Sequence, residues 1–431
     1  MAAGQISQLR WRIQELSRQV WVRVTAFAVL GAFTAVAGFA LKGFIPDDLP
    51  AKIGADAIEA ILQILASSML AVTTFSLSIL SAAYSAAGTT ATPRAVPLLV
   101  GDSVSQTVLA TFIGAFLFSL VSIILLKTEI YGESGRLVLF AVTILVVLVV
   151  VVSLLRWIDQ LGRLGRVGDT LERVFEAANE SFRERLESPW LGANPLRGDP
   201  PSEAVPVCSQ LVGYLQHCDI PALDKIADEN GLLIYVTATP GDFLHPALPA
   251  MHVLGLPAAE EARDDLCEGL RGCLTIRNSR DFRQDPRFGL QVLSEIGQRA
   301  LSPSVNDPGT AKIAVGLIFR VLGNWREIVE PAVEFPRLYV PSLVVLDLME
   351  ESLMPIAWDG GDNPQVQMTL RQMLLGLAKL SPSVFAEAAA ILSVRMSEVT
   401  GDRVAHEPHA SRIAEVHKEI ADIAQCDSKS R

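Results

Sequence analysis

A row of hydroxyl and amide side chains runs through an otherwise apolar stretch, Ala57–Thr92. Written as an α-helix, the stretch places these residues three, four or seven positions apart, and therefore on one face. Lipid offers polar side chains no partner, so the face must meet water, a neighbouring helix or its own backbone. Oxygen atoms along a water-filled path are suited to hydrated ions. The predicted pore-lining residues are Gln63, Ser67, Thr74, Ser78, Ser81, Ser85 and Thr89, with Thr92 extending the face.

The same row also suits helix packing. Serine and threonine in membrane helices often donate to their own backbone and allow a second helix to approach closely. For any single hydroxyl, packing is a sufficient explanation. Because the row covers the full depth of a membrane, we favour the interpretation as a pore.

Charged residues stand at both ends of this helix. Asp56 and Glu59 are predicted at its outer end, where a ring of them in an oligomer would attract cations. Carboxylates at a helix N-terminus are equally favoured by the macrodipole, and Lys52 lies nearby. Arg94 is predicted at the inner end, where a ring of arginines in an oligomer would favour anions. An arginine at this position is equally explained by membrane topology or by contact with lipid head groups. The charge preference of the path is therefore left open.

Three further stretches are long and apolar enough to cross a bilayer, which takes about 20 residues. They are Val24–Leu41, Thr107–Leu126 and Leu137–Leu155, the last almost purely aliphatic and therefore predicted to face lipid. Residues 1–23 are predicted to form an amphipathic segment, and residues 24–155 a four-helix transmembrane domain. Arginines flank one side of these spans, which places both termini in the cytoplasm. We therefore expect a multi-pass protein of the bacterial inner membrane.

Composition agrees with a membrane protein that carries a large soluble part. Of 431 residues 50% are hydrophobic, the net charge is −11 and the mean hydropathy is +0.36. Such an acidic chain is a poor candidate for binding nucleic acid, which requires a basic face. The cysteines, 5 in number, show no paired CxxC spacing, so we expect reduced thiols rather than a disulfide framework or a zinc site.

The remainder is predicted to be a cytoplasmic α+β domain. Residues 156–187 continue the fourth span as a charged helix. Residues 188–257 form a small β-rich subdomain, with strands predicted over Val205–Tyr214 and Leu232–Val236. Its Gly-Asp turn resembles the hairpin of biotinyl and lipoyl barrels. The turn has no attachment lysine, so this β-barrel-like part is expected to be structural. Residues 258–431 are predicted to be helical. Asp-Pro starts open helices over Pro286–Leu301 and Pro308–Leu322, and a further helix is predicted over Pro364–Leu380.

One polar segment is a candidate ligand site. The run from Arg299 to Thr310 gathers hydroxyl, amide and carboxylate side chains before a helix N-terminus, where an anion or other ligand can bind. Helix caps and turn chemistry explain the same residues. The candidate ligand-binding residues are Arg283, Asp285, Ser302, Asn306 and Asp307, accompanied by Arg280 and Arg287.

The motifs of familiar enzymes are missing from this sequence. Ser302 lacks a GxSxG context, and the histidines show no HExxH spacing. Neither a Walker A sequence nor a Rossmann glycine pattern occurs. We therefore predict no catalytic residue, no metal and no cofactor.

Three long stretches carry a resemblance to a known family. They are TTFSLSILSAAYSAAGTTATPRA (Thr73–Ala95), SQTVLATFIGAFLFSLVSI (Ser105–Ile123) and RQDPRFGLQVLSEIGQRALSPSVNDPGTA (Arg283–Ala311). They are similar to a bacterial family of predicted membrane proteins, domain of unknown function number twenty-two fifty-four. The resemblance covers nearly the whole chain and implies an inner-membrane protein with four spans and a cytoplasmic domain. It implies no activity.

The sequence thus favours an oligomeric channel-like pore in the inner membrane, in which the hydroxyl-bearing helix lines the path and the cytoplasmic domain assembles or gates it. Its expected partners are the lipid bilayer, other copies of the chain and ions. The alternative is a non-conducting, membrane-anchored sensor or scaffold that binds a ligand or partner through residues 283–310. A transporter is disfavoured, because the spans show neither a broken helix nor an intramembrane charge pair.

Overall fold

The structure is a computed structural model, and it describes Thr25, Val29 and residues 55–128, 132–327, 331–400 and 407–430. These residues fall into two compact units. The helical unit runs to Thr89 and includes Val96–Asp169; the α+β unit comprises Thr90–Ala95 and the chain from Thr170 onward.

The helical unit contains α1 (Ala55–Thr90), α2 (Val96–Val100), α3 (Ser103–Lys127) and α4 (Gly132–Leu161). Of these, α1, α3 and α4 are long and apolar enough to cross a membrane, over Asp56–Thr90, Ser103–Lys127 and Gly135–Leu161. The predicted amphipathic segment and the first span lie outside the described residues, apart from Thr25 and Val29. Three of the four predicted spans are therefore found as candidate membrane helices.

The core of the helical unit is aliphatic and aromatic. Its fully buried side chains include Leu62 on α1, Phe112 and Phe118 on α3, and Leu139 on α4. Only 22% of the apolar window of α4 is buried within the chain, as expected of a helix that faces lipid. Among the three described candidate membrane helices, the one predicted to face lipid thus has the smallest buried share.

A single carboxylate ties the start of α3 to the end of α4. Asp102 caps α3, accepting from the backbone nitrogen of Ser105 at 2.8 Å and from its hydroxyl at 2.6 Å. The same oxygen accepts from the side-chain amide of Gln160 on α4 at 3.0 Å, and Gln160 is largely buried. These hydrogen bonds satisfy polar groups that would otherwise be costly beside apolar helices.

The prediction of one continuous helix over Arg156–Glu187 is wrong. The helix ends at Leu161, and α5 begins again at Val167 and runs to Glu187. Gly165 lies between them with a φ of +79°, a left-handed conformation that glycine adopts without a steric penalty. The glycines at 162, 165 and 168 were the available sequence signal for this break.

The strands of the α+β unit form two small sheets. The first has the order β1-β8-β4-β6-β2, with parallel pairs β1–β8 and β8–β4 and antiparallel pairs β4–β6 and β6–β2. The second is antiparallel, in the order β5-β3-β7. The bounds are β1 Ala193–Pro195, β2 Val205–Cys208, β3 Gly213–Cys218, β4 Leu233–Val236, β5 Phe243–Leu244, β6 Pro249–Leu254, β7 Leu274–Arg277 and β8 Phe335–Val340.

The sheets correct the expectation of a small β-barrel. Strands β1 and β2 remain edges of the first sheet, so the described strands close no barrel. Two strands, β7 and β8, come from beyond residue 257, the predicted end of the β-rich subdomain. The predicted strand Val205–Tyr214 is also two strands, separated by a turn in which the Ser209 hydroxyl accepts from the backbone nitrogen of Leu211.

Helices make up the rest of this unit. They are α6 Ile220–Asn230, α7 Glu260–Gly272, α8 Pro286–Leu301, α9 Pro308–Leu322, α10 Val345–Asp359, α11 Pro364–Leu380, α12 Pro382–Thr400 and α13 Glu407–Ser430. Helix α6 packs on the first sheet through Leu223 and Ala227. Helix α8 is almost entirely enclosed, and it approaches its neighbours closely at Gly289 and Gly297. A Cβ on Gly289 would lie 2.7 Å from Cα of Ala178 on α5.

Candidate functional site

The predicted pore-lining side chains all lie on the exposed face of α1. Gln63, Ser67, Thr74, Ser78, Ser81, Ser85 and Thr89 are exposed, whereas Leu62, Met69 and Ser76 on the opposite face are buried. Bulky apolar side chains flank this polar row, among them Ile64 at 68% and Phe75 at 66% exposure. A single chain therefore presents a polar row bordered by apolar side chains on the outside of its helical unit.

Most of these hydroxyls donate to their own helix. Ser67 donates to the carbonyl of Gln63 at 3.0 Å, and Ser78 to that of Thr74 at 3.1 Å. Thr74 and Thr89 make equivalent bonds one turn back. Each hydroxyl oxygen still has lone pairs that can accept from water or a second chain. The geometry is thus compatible both with packing and with a water-filled path.

The carboxylate of Glu59, at the predicted outer mouth, is paired within the chain. It lies 3.0 Å from Nζ of Lys127 on α3, and Gln63 donates to the same oxygen at 2.9 Å. Asp56 is exposed. Pairing with Lys127 reduces the field that a ring of Glu59 carboxylates would exert on an ion.

At the predicted inner mouth lies a second ion pair, which the sequence did not reveal. Arg94 lies in the short segment Thr90–Ala95, and its Nη1 is 2.7 Å from Oε1 of Glu295 on α8. The hydroxyl of Thr92 donates to the other oxygen of Glu295 at 3.0 Å, and Thr92 is buried. Thr92 therefore does not extend the exposed face of α1, because it follows the end of the helix and anchors this segment to α8.

The candidate ligand-binding residues do not converge. Asp285 is the N-cap of α8 and Ser302 its C-cap, so these residues lie at opposite ends of a 16-residue helix. At 1.5 Å per residue, about 24 Å separates them. Asn306 and Asp307 follow Ser302, and the structure brings only these three together. Their role as a ligand site stays a prediction.

Local partners account for the charges near the start of α8. Arg283 pairs with Asp281 at 2.9 Å. Burial opposes the ionisation of Asp281, but the hydrogen bonds and charge of Arg283 lower its pKa below the usual value. Asp285 is 1% exposed and accepts from the backbone nitrogens of Arg287 and Phe288 through one oxygen. Its other oxygen accepts from Nε and Nη2 of Arg280 at 2.7 and 2.6 Å.

Two further arginines and one further carboxylate complete this cluster. Arg287 donates to Asp242 at 2.5 Å, and the second oxygen of Asp242 accepts from the backbone nitrogen of Thr239. Arg185, from α5, is 3% exposed and its Nε makes no hydrogen bond. Burial lowers the pKa of Arg185 to about 10, although the negative charge of Asp285 opposes this. We call Arg185, Asp242, Arg280, Asp285 and Arg287 the Asp285 cluster.

The Asp285 cluster joins the end of α5, the turn before β5 and the start of α8. Gly241 is required in that turn, because its φ is +101° and a Cβ would lie 2.6 Å from Cγ of Asp285. Arg185 and Asp242 were not among the predicted site residues. The Gly-Asp dipeptide marked a turn, but no sequence pattern indicates that its aspartate reaches an arginine 45 residues further on.

The turn after α8 is built from its own hydrogen bonds. Asn306 adopts a left-handed φ of +47°, and the backbone nitrogen of Asp307 donates to the carbonyl of Ala300 at 2.7 Å. Asp307 caps α9, accepting from the backbone and hydroxyl of Thr310. These bonds lower the pKa of Asp307 below its usual value. The turn therefore has a structural explanation at each of these positions.

The cysteines differ in their burial. Cys218, Cys267 and Cys273 are buried, Cys208 is partly buried and Cys426 is exposed. Burial raises the pKa of Cys218 to about 12 and that of Cys273 to about 11, and it also raises the pKa of Cys267. Because the thiolate is the reactive form, the buried thiols are expected to be inert.

We expect a maleimide to modify only Cys208 and Cys426 in the native protein at neutral pH, and the remaining thiols only after denaturation. Mass spectrometry of tryptic peptides from native and denatured samples measures this directly. Rapid native labelling of Cys218 would contradict the buried position of β3.

Comparison with known proteins places the chain in a family. Residues 17–375 match the family described as "Predicted membrane protein (DUF2254)", and the chain belongs to it. An uncharacterized protein of Mycobacterium bovis is 32% identical over 117 residues, which cover 26% of this chain and 22% of that protein. Uncharacterized proteins of two Mycobacterium tuberculosis strains, H37Rv and CDC 1551, match with the same identity and coverage. The matched stretch thus spans about a fifth of these relatives. No solved structure matches.

Proposed function

We propose that this membrane protein forms an oligomeric, channel-like pore lined by α1. The exposed polar row on that helix carries the proposal. In a lone chain the row would face hydrocarbon, which offers no partner to the lone pairs that these hydroxyls leave open. Several copies arranged around an axis would instead turn it toward water, while the flanking apolar side chains pack between copies.

The charges at both ends of α1 favour weak charge selection. Glu59 is paired with Lys127, and Arg94 with Glu295. A path lined by hydroxyl oxygens between paired charges has little net field to separate cations from anions. We therefore expect selection by size more than by charge.

The α+β unit has a direct connection through which it could gate such a path. The segment after α1 is held by Glu295 through Thr92 and Arg94, and Ala91 and Ala95 beside them are fully buried. A shift of α8 would therefore pull on the residues that immediately follow α1. We propose that this segment transmits gating, with both termini and the α+β unit in the bacterial cytoplasm.

Cysteine accessibility tests the proposal. In a background with C208S and C426S, S78C is expected to react with a charged methanethiosulfonate reagent, and the reaction is expected to reduce the current of reconstituted protein. L148C on α4 is the matched control, since Leu148 is 61% exposed but lies on the helix predicted to face lipid. Placing a charge in lipid costs about 2.5–3.5 kcal/mol, so labelling should be about 100-fold slower there.

Two results would refute the pore. One is reconstituted protein without ion flux, while the α+β unit is shown to be folded. The other is equal labelling of S78C and L148C, because the polar row would then face the same environment as the lipid-facing helix.

A sensor or scaffold that does not conduct is the second candidate, and Trp358 favours it. Trp358 is 55% exposed at the end of α10, where Gly360 packs against Leu301 at the end of α8. Val305, in the following turn, is 49% exposed. Exposed apolar side chains beside a polar turn suit a protein partner. This alternative predicts no ion flux. It also predicts that S78C crosslinks between copies but does not react with charged reagents.

In both proposals the protein is not an enzyme.

A further inference from the structure

Two neighbouring loops of the α+β unit expose apolar side chains. Residues 209–212 join β2 to β3, and residues 245–248 join β5 to β6. Because β2 pairs with β6 and β3 pairs with β5, both loops cross between the same two sheets and lie side by side. We call this surface the apolar tip. It consists of Leu211 and Val212 in the first loop, Leu248 in the second, and Phe243 in β5 beside them.

The apolar tip is unusual for a loop surface. Leu211 is 61% exposed, Val212 60%, Phe243 48% and Leu248 42%. Loops at protein surfaces are normally polar, and a contiguous apolar patch marks a surface that contacts another molecule or a membrane.

Local bonds hold these side chains in place. The hydroxyl of Ser209 accepts from the backbone nitrogen of Leu211 at 3.0 Å and donates to its carbonyl at 2.7 Å. The ring of Phe243 stands edge-on to that of Tyr214, with centroids 5.1 Å apart. The apolar tip is therefore a built feature of the sheets, since both its turn and its aromatic ring are fixed by neighbours.

The size of the tip argues against a second protein chain. Four side chains of this exposure offer a few hundred Å², the size of the largest patch on an ordinary soluble protein. A stable protein interface buries about 800 Å² on each partner. A lipid surface requires no such area, because shallow insertion gains free energy from each apolar group that leaves water.

Charge beside the tip also fits a lipid surface. Arg277 is exposed and lies opposite Tyr214 in the β3–β7 pair. Arg271 lies beside the end of β2, where its Nε donates to the carbonyl of Cys208 at 3.0 Å. Neither loop contains Asp or Glu, and Asp242 before Phe243 is paired with Arg287. Apolar side chains flanked by arginine suit the boundary between acyl chains and anionic head groups.

We propose that the apolar tip inserts into the surface of the bilayer that holds the candidate membrane helices, with Arg277 against anionic head groups. The α+β unit is covalently joined to those helices, so the tip meets lipid at a high effective concentration. A weak surface contact is therefore sufficient to keep it there. The inference is independent of whether the protein conducts ions.

An environment-sensitive fluorophore on V212C tests this in the full-length protein. The variant carries C208S and C426S, is labelled with NBD and is reconstituted into phosphatidylcholine nanodiscs with or without phosphatidylglycerol. We expect blue-shifted emission, and quenching by nitroxide lipids several-fold greater than for S202C, an exposed polar loop position. Phosphatidylglycerol should increase the quenching, and R277Q should remove that increase.

Three outcomes would overturn the proposal. The first is a 212 label that aqueous iodide quenches as readily as the 202 label. The second is efficient disulfide crosslinking of V212C between copies without lipid quenching, which would assign the tip to a protein interface. The third is lipid quenching unchanged by L211S and L248S, provided that thermal unfolding shows the variant to be folded.

Discussion

Replacing Asp285 by alanine is expected to lower the free energy of opening of α8 by about 3–5 kcal/mol, the cost of removing one partner of a buried ion pair. The carboxylate is 1% exposed, caps the helix and binds Arg280 through a second oxygen. Without it, the guanidinium groups of Arg185, Arg280 and Arg287 keep only Asp242 and groups further away as counter-charges. Arg280 loses its direct carboxylate partner, and the buried Arg185 loses the negative charge that most opposes the effect of its burial.

Hydrogen exchange of the α8 amides is the appropriate measurement, because a chain with two units does not unfold in a single two-state step. D281A is the matched control. Asp281 also pairs with an arginine, but Arg283 is 60% exposed, so the loss should stay within about 1 kcal/mol. D285N separates the two roles, since an asparagine still caps the helix but carries no charge. Equal effects of D285A and D281A would show that the Asp285 cluster contributes no more to the stability of α8 than a surface ion pair does.

The sequence predicted those elements whose ends are defined by local chemistry. Asp285-Pro286 and Asp307-Pro308 set the starts of α8 and α9, and both helices have the predicted bounds. Asn363 likewise caps α11, which also has its predicted bounds. A cap acts within three residues of itself, so the pattern needs no knowledge of the fold.

Strand pairing across long separations could not be predicted in the same way. Strand β8 lies between β1 and β4, yet about 100 residues separate it from β4 and about 140 from β1. A short apolar run such as Phe335–Val340 does not specify its neighbour, so the β-rich region was predicted as a local barrel. The contact of Arg94 with Glu295 escaped prediction for the same reason, since these residues are 201 positions apart.

The candidate ligand site shows a different limit of sequence reasoning. The stretch Arg283–Ala311 resembles a long family motif, and a resemblance does not say what role each residue has. In the structure Asp285 is constrained by a cap and a buried pair, Asn306 by a left-handed turn, and Gly289 and Gly297 by close helix packing. The hydroxyl row of α1 is the reverse case, because its spacing alone placed it on one helix face, and that face is exposed.

If packing is the reason for a glycine at position 289, two glycines in helix interiors should respond in opposite ways to alanine. One lies in this motif and the other beyond it. Gly289→Ala on α8 is expected to destabilise the α+β unit by about 1–3 kcal/mol, the usual cost of overpacking. The new Cβ would lie 2.7 Å from Cα and 3.3 Å from the backbone nitrogen of Ala178, and a rigid helix backbone cannot yield as a side chain can. Gly316→Ala on α9 meets nothing within 4 Å and should stabilise by about 0.5–1 kcal/mol, because alanine is the better helix former.

Hydrogen exchange of α5 and α8 in the first variant, and of α9 in the second, measures both effects. The paired design matters because each substitution adds a single methyl group to a helix, so intrinsic propensity changes alike and only the surroundings differ. Stabilisation by Gly289→Ala would mean that α5 and α8 separate easily. Gly289 would then be constrained by something other than packing, and a ligand role for the start of α8 would have to be reconsidered.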